Sequence, residues 1–222
     1  SLKLDLNHYD DGPGDVLGLK KITLNAMNED YSMMHERVAY RMFREAGVPA
    51  ARSTHALVYL NDEYYGLFAH VESVDDVMIG RWFEDDSGSL FEQHDADYYT
   101  DYVQDNTYFQ LEEGEDNRDE LQALADDLAG SGAAAVEAAG EHINWENFIT
   151  YWAVGAVVMN FDTYPYHSDD CHVYHDPTTD QLYYIPHGVD ESFYYENYYY
   201  HMEDSAGGLL AYRCREVDAC RD

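Results

Sequence analysis

The sequence predicts an α+β domain: an N-terminal sheet carrying one helix, then a more helical half with a β-hairpin set into it. Three observations point there. Two aromatic and branched runs, 56–60 and 64–72, are separated by the polar turn Asn61-Asp62-Glu63, which is a hairpin pattern. Apolar residues recur at helical spacing over 33–46, and on most faces over 144–160. Late in the chain, Cys171-His172-Val173-Tyr174 and Gln181-Leu182-Tyr183-Tyr184-Ile185 flank the turn Asp176 to Asp180, giving a second hairpin.

Taken in order, Leu2-Lys3-Leu4-Asp5-Leu6 alternates like a strand, and Gly18 to Asn25 reads as another. The turn-rich Asn28 to Ser32 starts a helix whose apolar positions are Met34, Val38, Met42 and Ala46, with Ala39 and Phe43 beside them. Gly47 and Pro49 stop it. The first hairpin follows. Ser73 to Asp76 caps a helix reaching Phe83, Asp85 to Gly88 is a loop, and Ser89 to Glu92 a short strand. From His94 to Gly140 the chain is acidic and Tyr-rich, then Ala-rich. It reads as a variable insertion with helices over 120–128 and 133–139, broken at Gly130-Ser131-Gly132. The 144–160 helix, with Trp145, Phe148, Ile149, Trp152, Ala153, Ala156 and Val157, is expected to be buried. The expected organisation is one domain over 1–222, with about 1–72 as a first lobe and 73–222 as a second. It reads as the middle of a longer protein.

Aromatic residues make up 15% of the 222, and there are only 5 prolines, a composition for folding and not for disorder. The formal net charge is −33. A groove for phosphate backbones needs a basic field, so nucleic acid is excluded as an expected partner, as are anionic membrane surfaces. No apolar run reaches membrane-spanning length. The acids are spread along the chain without an EF-hand loop, which suits a carboxylate-rich, salt-adapted or secreted surface. Cys214 and Cys220 could close a small disulfide loop or stay reduced, while Cys171 reads as a packed lone thiol.

The order of elements carries a chemical suggestion. A Lys-bearing strand precedes a helix with an acid on it. A hairpin ends in a possible hinge, a long helix ends in an Asp loop, and a second hairpin ends in another Asp. Phosphoryl transfer needs those parts: a cation on the phosphates, an acid to hold that cation, an Asp near the attacking hydroxyl and ligands for Mg²⁺. This is the serial order of a protein-kinase-like fold, although G-x-G-x-x-G, His-Arg-Asp and Asp-Phe-Gly are all absent.

Several blocks make the suggestion specific. Leu19 to Asn25, Arg37 to Ala50, Val58 to Glu72, Val173 to Pro177 and Ile185 to Asp190 together resemble the CotH kinase family, over about 15–92 and 144–193. The resemblance implies an atypical protein-kinase-like fold that transfers phosphate from ATP, with Mg²⁺ or Mn²⁺, to Ser or Thr of spore-coat or cell-surface proteins. It implies Asp162 as the catalytic-loop Asp. It implies Asp190 as a metal ligand, matching the family's Pro-Trp-Asp-x-Asp signature. In that signature His187 replaces Trp and Gly188 replaces the first Asp. Asp170 stands where the family carries Asn and is a second candidate metal ligand. Lys21 is the choice for the phosphate contact, ahead of Lys20 and Lys3, with Glu36 as its expected pairing acid. Glu72 falls at the hinge, where backbone groups would meet adenine. A secreted or surface setting, a monomer and a protein substrate are expected.

Two other readings compete. His167, His172, His175 and His187 lie near Asp169, Asp170 and Asp190 in sequence, types that bind Zn²⁺ in hydrolases. A non-catalytic, pseudokinase-like binding module is the other, with the Tyr194–Tyr200 run as a contact surface.

Overall fold

The computed structural model describes residues 1–6, 15–16, 18–28, 30–160, 162–193, 207–215 and 217. The Tyr194–Tyr200 run and Cys220 lie outside the described residues. Both helices and strands are present, in two antiparallel four-stranded sheets, so the α+β, kinase-like class holds.

The first sheet has the order β1-β2-β4-β3, from β1 (Leu2–Asp5), β2 (Lys21–Asn25), β3 (Ser53–Leu60) and β4 (Glu63–Val71). The β3–β4 hairpin closes through Asn61 and Asp62, both at positive φ (52° and 68°). A two-residue loop of that handedness matches the twist of the flanking strands, and Asn and Asp tolerate it best after Gly. On this sheet lies α1 (His35–Glu45). Asp30 prepares its start, accepting from the backbone N–H of Ser32 at 2.9 Å and of His35 at 2.7 Å.

The buried face of α1 is Glu36, Ala39, Tyr40 and Phe43. The stripe through Met34, Val38 and Ala46 is exposed instead, with only Met42 packed against the core. Two apolar stripes share this helix, and the one containing a carboxylate won because it faces the other half of the molecule.

The second half begins with α2 (Asp76–Trp82), capped by Asp75, which accepts from Val77 N at 3.1 Å and Met78 N at 3.2 Å. Its sheet has the order β6-β5-β7-β8: β5 (Leu90–Gln93), β6 (Phe109–Glu113), β7 (Cys171–Asp176) and β8 (Gln181–Pro186). The predicted hairpin is therefore the β7–β8 half of a larger sheet. The 94–140 stretch supplies α3 (Thr100–Val103), the edge strand β6, α4 (Asp119–Leu128) and α5 (Gly132–Ala139). It buries Tyr98, Val103, Phe109, Leu121, Leu124 and Leu128.

α6 (Trp145–Val158) is capped by the Asn144 side chain, which accepts from Asn147 N at 3.0 Å. Its expected burial on most faces is corrected. Phe148, Tyr151, Gly155 and Val158 are buried, but Val157 is 66% exposed and Ile149 40% exposed. Polar Asn147 takes an inward position instead and binds β8, donating to Tyr184 O at 3.2 Å and accepting from Tyr184 N at 2.6 Å.

The short α7 (Tyr164–His167), a 3₁₀ turn (Val189–Glu191) and α8 (Leu209–Arg215) complete the described fold. Tyrosines fill much of the core. Tyr184 donates to Tyr98 at 2.7 Å, and Tyr164 donates to Asp97 at 3.2 Å. Asp97 also accepts from Leu209 N at 2.6 Å, which ties α8 to the core. These phenols thus bring their large rings inside with partners for their hydroxyls. Cys171 is a buried free thiol, and Cys214 is disulfide-bonded. No helix among the described residues is long and apolar enough to cross a membrane.

Candidate nucleotide cleft

A cleft of about 720 Å³ opens between the two sheets. One wall is β2 and the end of β4, bringing Lys21, Thr23, Asn25 and the Val71–Val74 connection. The other is β5, the start of β7 and the segment after β8, bringing Glu92, His172, His187, Gly188 and Asp190. Lys21, Glu72 and Asp190 therefore share one cavity although 169 positions separate the first from the last.

Lys21 Nζ lies 3.3 Å from Glu113 Oε1 on β6, so it pairs across the two sheets and not with Glu36. Lys20 is engaged outside the cleft by Asp76. Glu36 projects from α1 into the interior, 3% exposed, and accepts from Asn25 Nδ2 through one oxygen. Its other oxygen is buried without a hydrogen-bond partner. Burial, together with the nearby charges of Asp190 and Asp30, pushes the Glu36 carboxyl up to about 7.

Glu72 sits where β4 leaves the first sheet. Its carboxylate is held by Arg52 Nη2 at 2.7 Å and by Arg81, whose Nη2 donates to Oε2 at 2.8 Å. Burial alone would raise this carboxyl, but the two guanidiniums win and hold it below the usual range. The side chain is thus committed to fixing the connection, while residues 71–74 line the cleft.

The acids of the second half gather around the 3₁₀ turn. His35 Nδ1 on α1 is 3.2 Å from the Asp190 carbonyl oxygen, which docks α1 onto that turn. Asp170 has φ +47° and precedes β7 directly, and its carbonyl accepts from His187 N at 3.2 Å. Burial and the charges of Asp169, Asp162 and Asp190 push the Asp170 carboxyl up to about 7, against the opposing pull of His187. Asp162, in the loop after α6, is raised by burial and by Asp169, Asp95 and Asp190. Asp162, Asp170 and Asp190 therefore lie within one another's fields. Of these three aspartates only Asp190 walls the cleft; Asp162 and Asp170, like Glu36, are not among its lining residues.

Gly188 explains its own identity. Its φ is +57°, and a Cβ placed there would stand 2.0 Å from Asp170 Oδ2. The Asp170 carboxylate occupies the space into which a side chain at 188 would project. A carboxylate absent from position 188 is thereby supplied from 170.

These residues fit a hard divalent cation. The donors are carboxylates, two of them are disfavoured as anions until a positive charge arrives, and one buried Glu36 oxygen lacks a partner. Mg²⁺ keeps several waters and takes only one or two carboxylates plus phosphate oxygens, so a looser set than an all-protein cage suffices.

Sequence reasoning missed several residues. Asn160 is fully buried with neither amide atom hydrogen-bonded, two positions before Asp162. Its signal was the Asn-x-Asp spacing at the end of α6. Glu92 was also missed; it lines the cleft beside His187, whose Nδ1 is 3.1 Å from its Oε1. Burial would raise Glu92, but His187, His172 and His94 hold it at about 2. The histidine cluster expected from sequence divides. The rings of His172 and His187 meet edge to face at 4.9 Å at the cleft, whereas His175 faces Asp180 at 3.0 Å elsewhere.

A comparison with curated proteins finds no match. The family model described as CotH kinase protein matches residues 1–216. With that match over nearly the whole chain, and with a two-sheet fold whose cleft brings Lys21 and Asp190 to facing walls, the chain belongs to the CotH kinase family.

Proposed function

We propose that the cleft binds ATP with Mg²⁺ or Mn²⁺ and that the protein transfers the γ-phosphoryl group to a Ser or Thr hydroxyl of a coat or cell-surface protein. The observation that carries this reading is the placement of Lys21 and Asp190 on facing walls of one cleft, with Asp170 and Asp162 close enough to perturb each other. Asp190 and Asp170 would hold the cation, with Glu36 behind them. The cation, when bound, neutralises charge on the phosphates. Lys21 exchanges its Glu113 partner for a phosphate oxygen. The 71–74 backbone, fixed by Glu72 and its arginines, receives the adenine edge. Asp162 orients the acceptor hydroxyl and takes its proton, a task that its upward shift suits. The disulfide at Cys214 supports an oxidising, extracellular setting.

ATP with Mg²⁺ or Mn²⁺ is expected to raise the melting temperature, and Asp190→Ala to abolish that rise. Asp162→Ala should keep nucleotide binding yet lose transfer of radiolabelled phosphate to a casein-like acceptor or to itself. If ATP gives no metal-dependent stabilisation, the kinase reading fails. Stabilisation without transfer by the unaltered protein would leave it a nucleotide-binding pseudokinase.

A further inference from the structure

We infer that Glu120, His175 and Asp180 form a zinc site on the second half of the molecule, with His142 orienting the glutamate. Ligand atoms of the three side chains all lie within 4.8 Å of one another, and among the described residues they are the one such set drawn from His, Cys, Asp and Glu. They come from three separate places: the first turn of α4, the end of β7 and the turn joining β7 to β8.

The case goes beyond a patch of acids in an acidic protein. Imidazole nitrogen is a poor ligand for Mg²⁺ or Ca²⁺ and a preferred one for Zn²⁺, so His175 sets the metal class. His175 Nε2 already stands 3.0 Å from Asp180 Oδ1, close to the separation of two ligands on one small cation. His175 is fixed from behind, its backbone N–H donating to Ser89 O at 3.0 Å.

Glu120 is positioned in the manner of a metal-bound carboxylate, which commonly has a second hydrogen-bond partner. Its Oε2 lies 2.6 Å from His142 Nδ1, and His142 Nε2 lies 3.1 Å from Asp127 Oδ2. His142 is itself anchored to the hairpin, since its carbonyl accepts from Leu182 N at 2.8 Å. Three protein ligands leave a fourth position for water. Asp180 is 78% exposed, so that position opens to solvent. A zinc ion here would clamp α4 to the hairpin whose far end carries Asp190. The site is separate from the cleft and does not depend on the kinase reading.

The test is metal content. Full-length protein, stripped with a chelator, is loaded with Zn²⁺ in excess Mg²⁺ and high salt to suppress loose binding by surface carboxylates, then dialysed and assayed for zinc. One equivalent is expected in the unaltered protein and in Asp190→Ala, and none in His175→Ala. His142→Ala should weaken zinc binding by about 10- to 100-fold, the usual effect of removing an outer-shell partner. Should His175→Ala fail to fold, Asp180→Asn serves instead, because Asn keeps the left-handed backbone at this exposed turn while removing the anion. Absence of zinc in the unaltered protein, its retention in both His175→Ala and Asp180→Asn, or its loss only in Asp190→Ala would each overturn the inference.

Discussion

At the scale of single residues, the exchange between positions 170 and 188 makes the sharpest demand. A buried carboxyl whose folded pKa is raised costs stability wherever the unfolded chain would already have ionised it. For Asp170 that cost begins above its ordinary value of 3.8 and is fully present above about 7. Asp170→Asn should therefore stabilise the metal-free protein at pH 8 while raising the Mg²⁺ needed for stabilisation by ATP roughly tenfold, as expected for removing one anionic ligand. A variant less stable without metal, or one with unchanged Mg²⁺ demand, would remove Asp170 from the metal site. Glu72 has the opposite sign. Its folded pKa is depressed, so its stabilisation is present above the ordinary value of 4.5 and is lost as pH falls through the folded value. Glu72→Gln should cost about 1–2 kcal/mol at pH 7, since it removes charge-assisted hydrogen bonds to two guanidiniums that water can partly resolvate. Urea unfolding across pH 3–7 reads this: the gap between variant and parent should close toward the acid end. The nearness of Asp190 and Asp170 was legible in sequence through the family resemblance. The roles of Glu72 and Glu36 were not, because pairing with Arg52 and Arg81, or burial beside Asp190, depends on chain segments brought together only by folding.

At the scale of elements, periodicity located helices and strands better than it located their faces. The helices α1, α2, α4, α5 and α6 all fall within a few residues of their predicted spans. The strand β6 went unread because Phe109-Gln110-Leu111-Glu112-Glu113 ends in two acids and sits on a sheet edge, where one side needs no apolar cover. In α6 nearly every position is apolar, so composition could not say which side faces inward. The geometry makes that a measurable difference. Phe148 is fully buried among Trp145, Trp152, Tyr164 and Tyr184, whereas Val157 faces solvent. Phe148→Ala should cost about 3–5 kcal/mol through lost burial and a residual cavity. Val157→Glu should stay within about 0.5 kcal/mol, as for an ordinary surface site. Chemical denaturation of the two variants checks the orientation; a large loss in Val157→Glu would mean that this face is covered.

At the scale of the whole molecule, the charge of −33 sets the response to salt. Two effects oppose each other. Added ions weaken attractive pairs such as Lys21–Glu113 and Arg41–Glu45, and they also screen repulsion among the carboxylates. With 12 Lys and Arg against 45 Asp and Glu, most acids have no basic partner to lose, so repulsion dominates. The exposed pairs are worth at most about 1 kcal/mol each and many contribute nothing. In the pairing of Arg81 and Arg52 with Glu72 only the carboxylate is buried, so salt screens it less than the fully exposed pairs but does not spare it. The screening length falls from about 10 Å at 0.1 M to about 3 Å at 1 M salt, a range that spans the spacing of neighbouring surface charges. The melting temperature should therefore climb steadily with NaCl. Mg²⁺ at matched ionic strength should add a further rise that Asp190→Ala lacks, because screening acts on the whole surface and coordination only on the cleft. A flat response to NaCl would mean that the carboxylates are already compensated within the fold. An equal Mg²⁺ increment in Asp190→Ala would assign the cation's effect to the surface and not to the cleft.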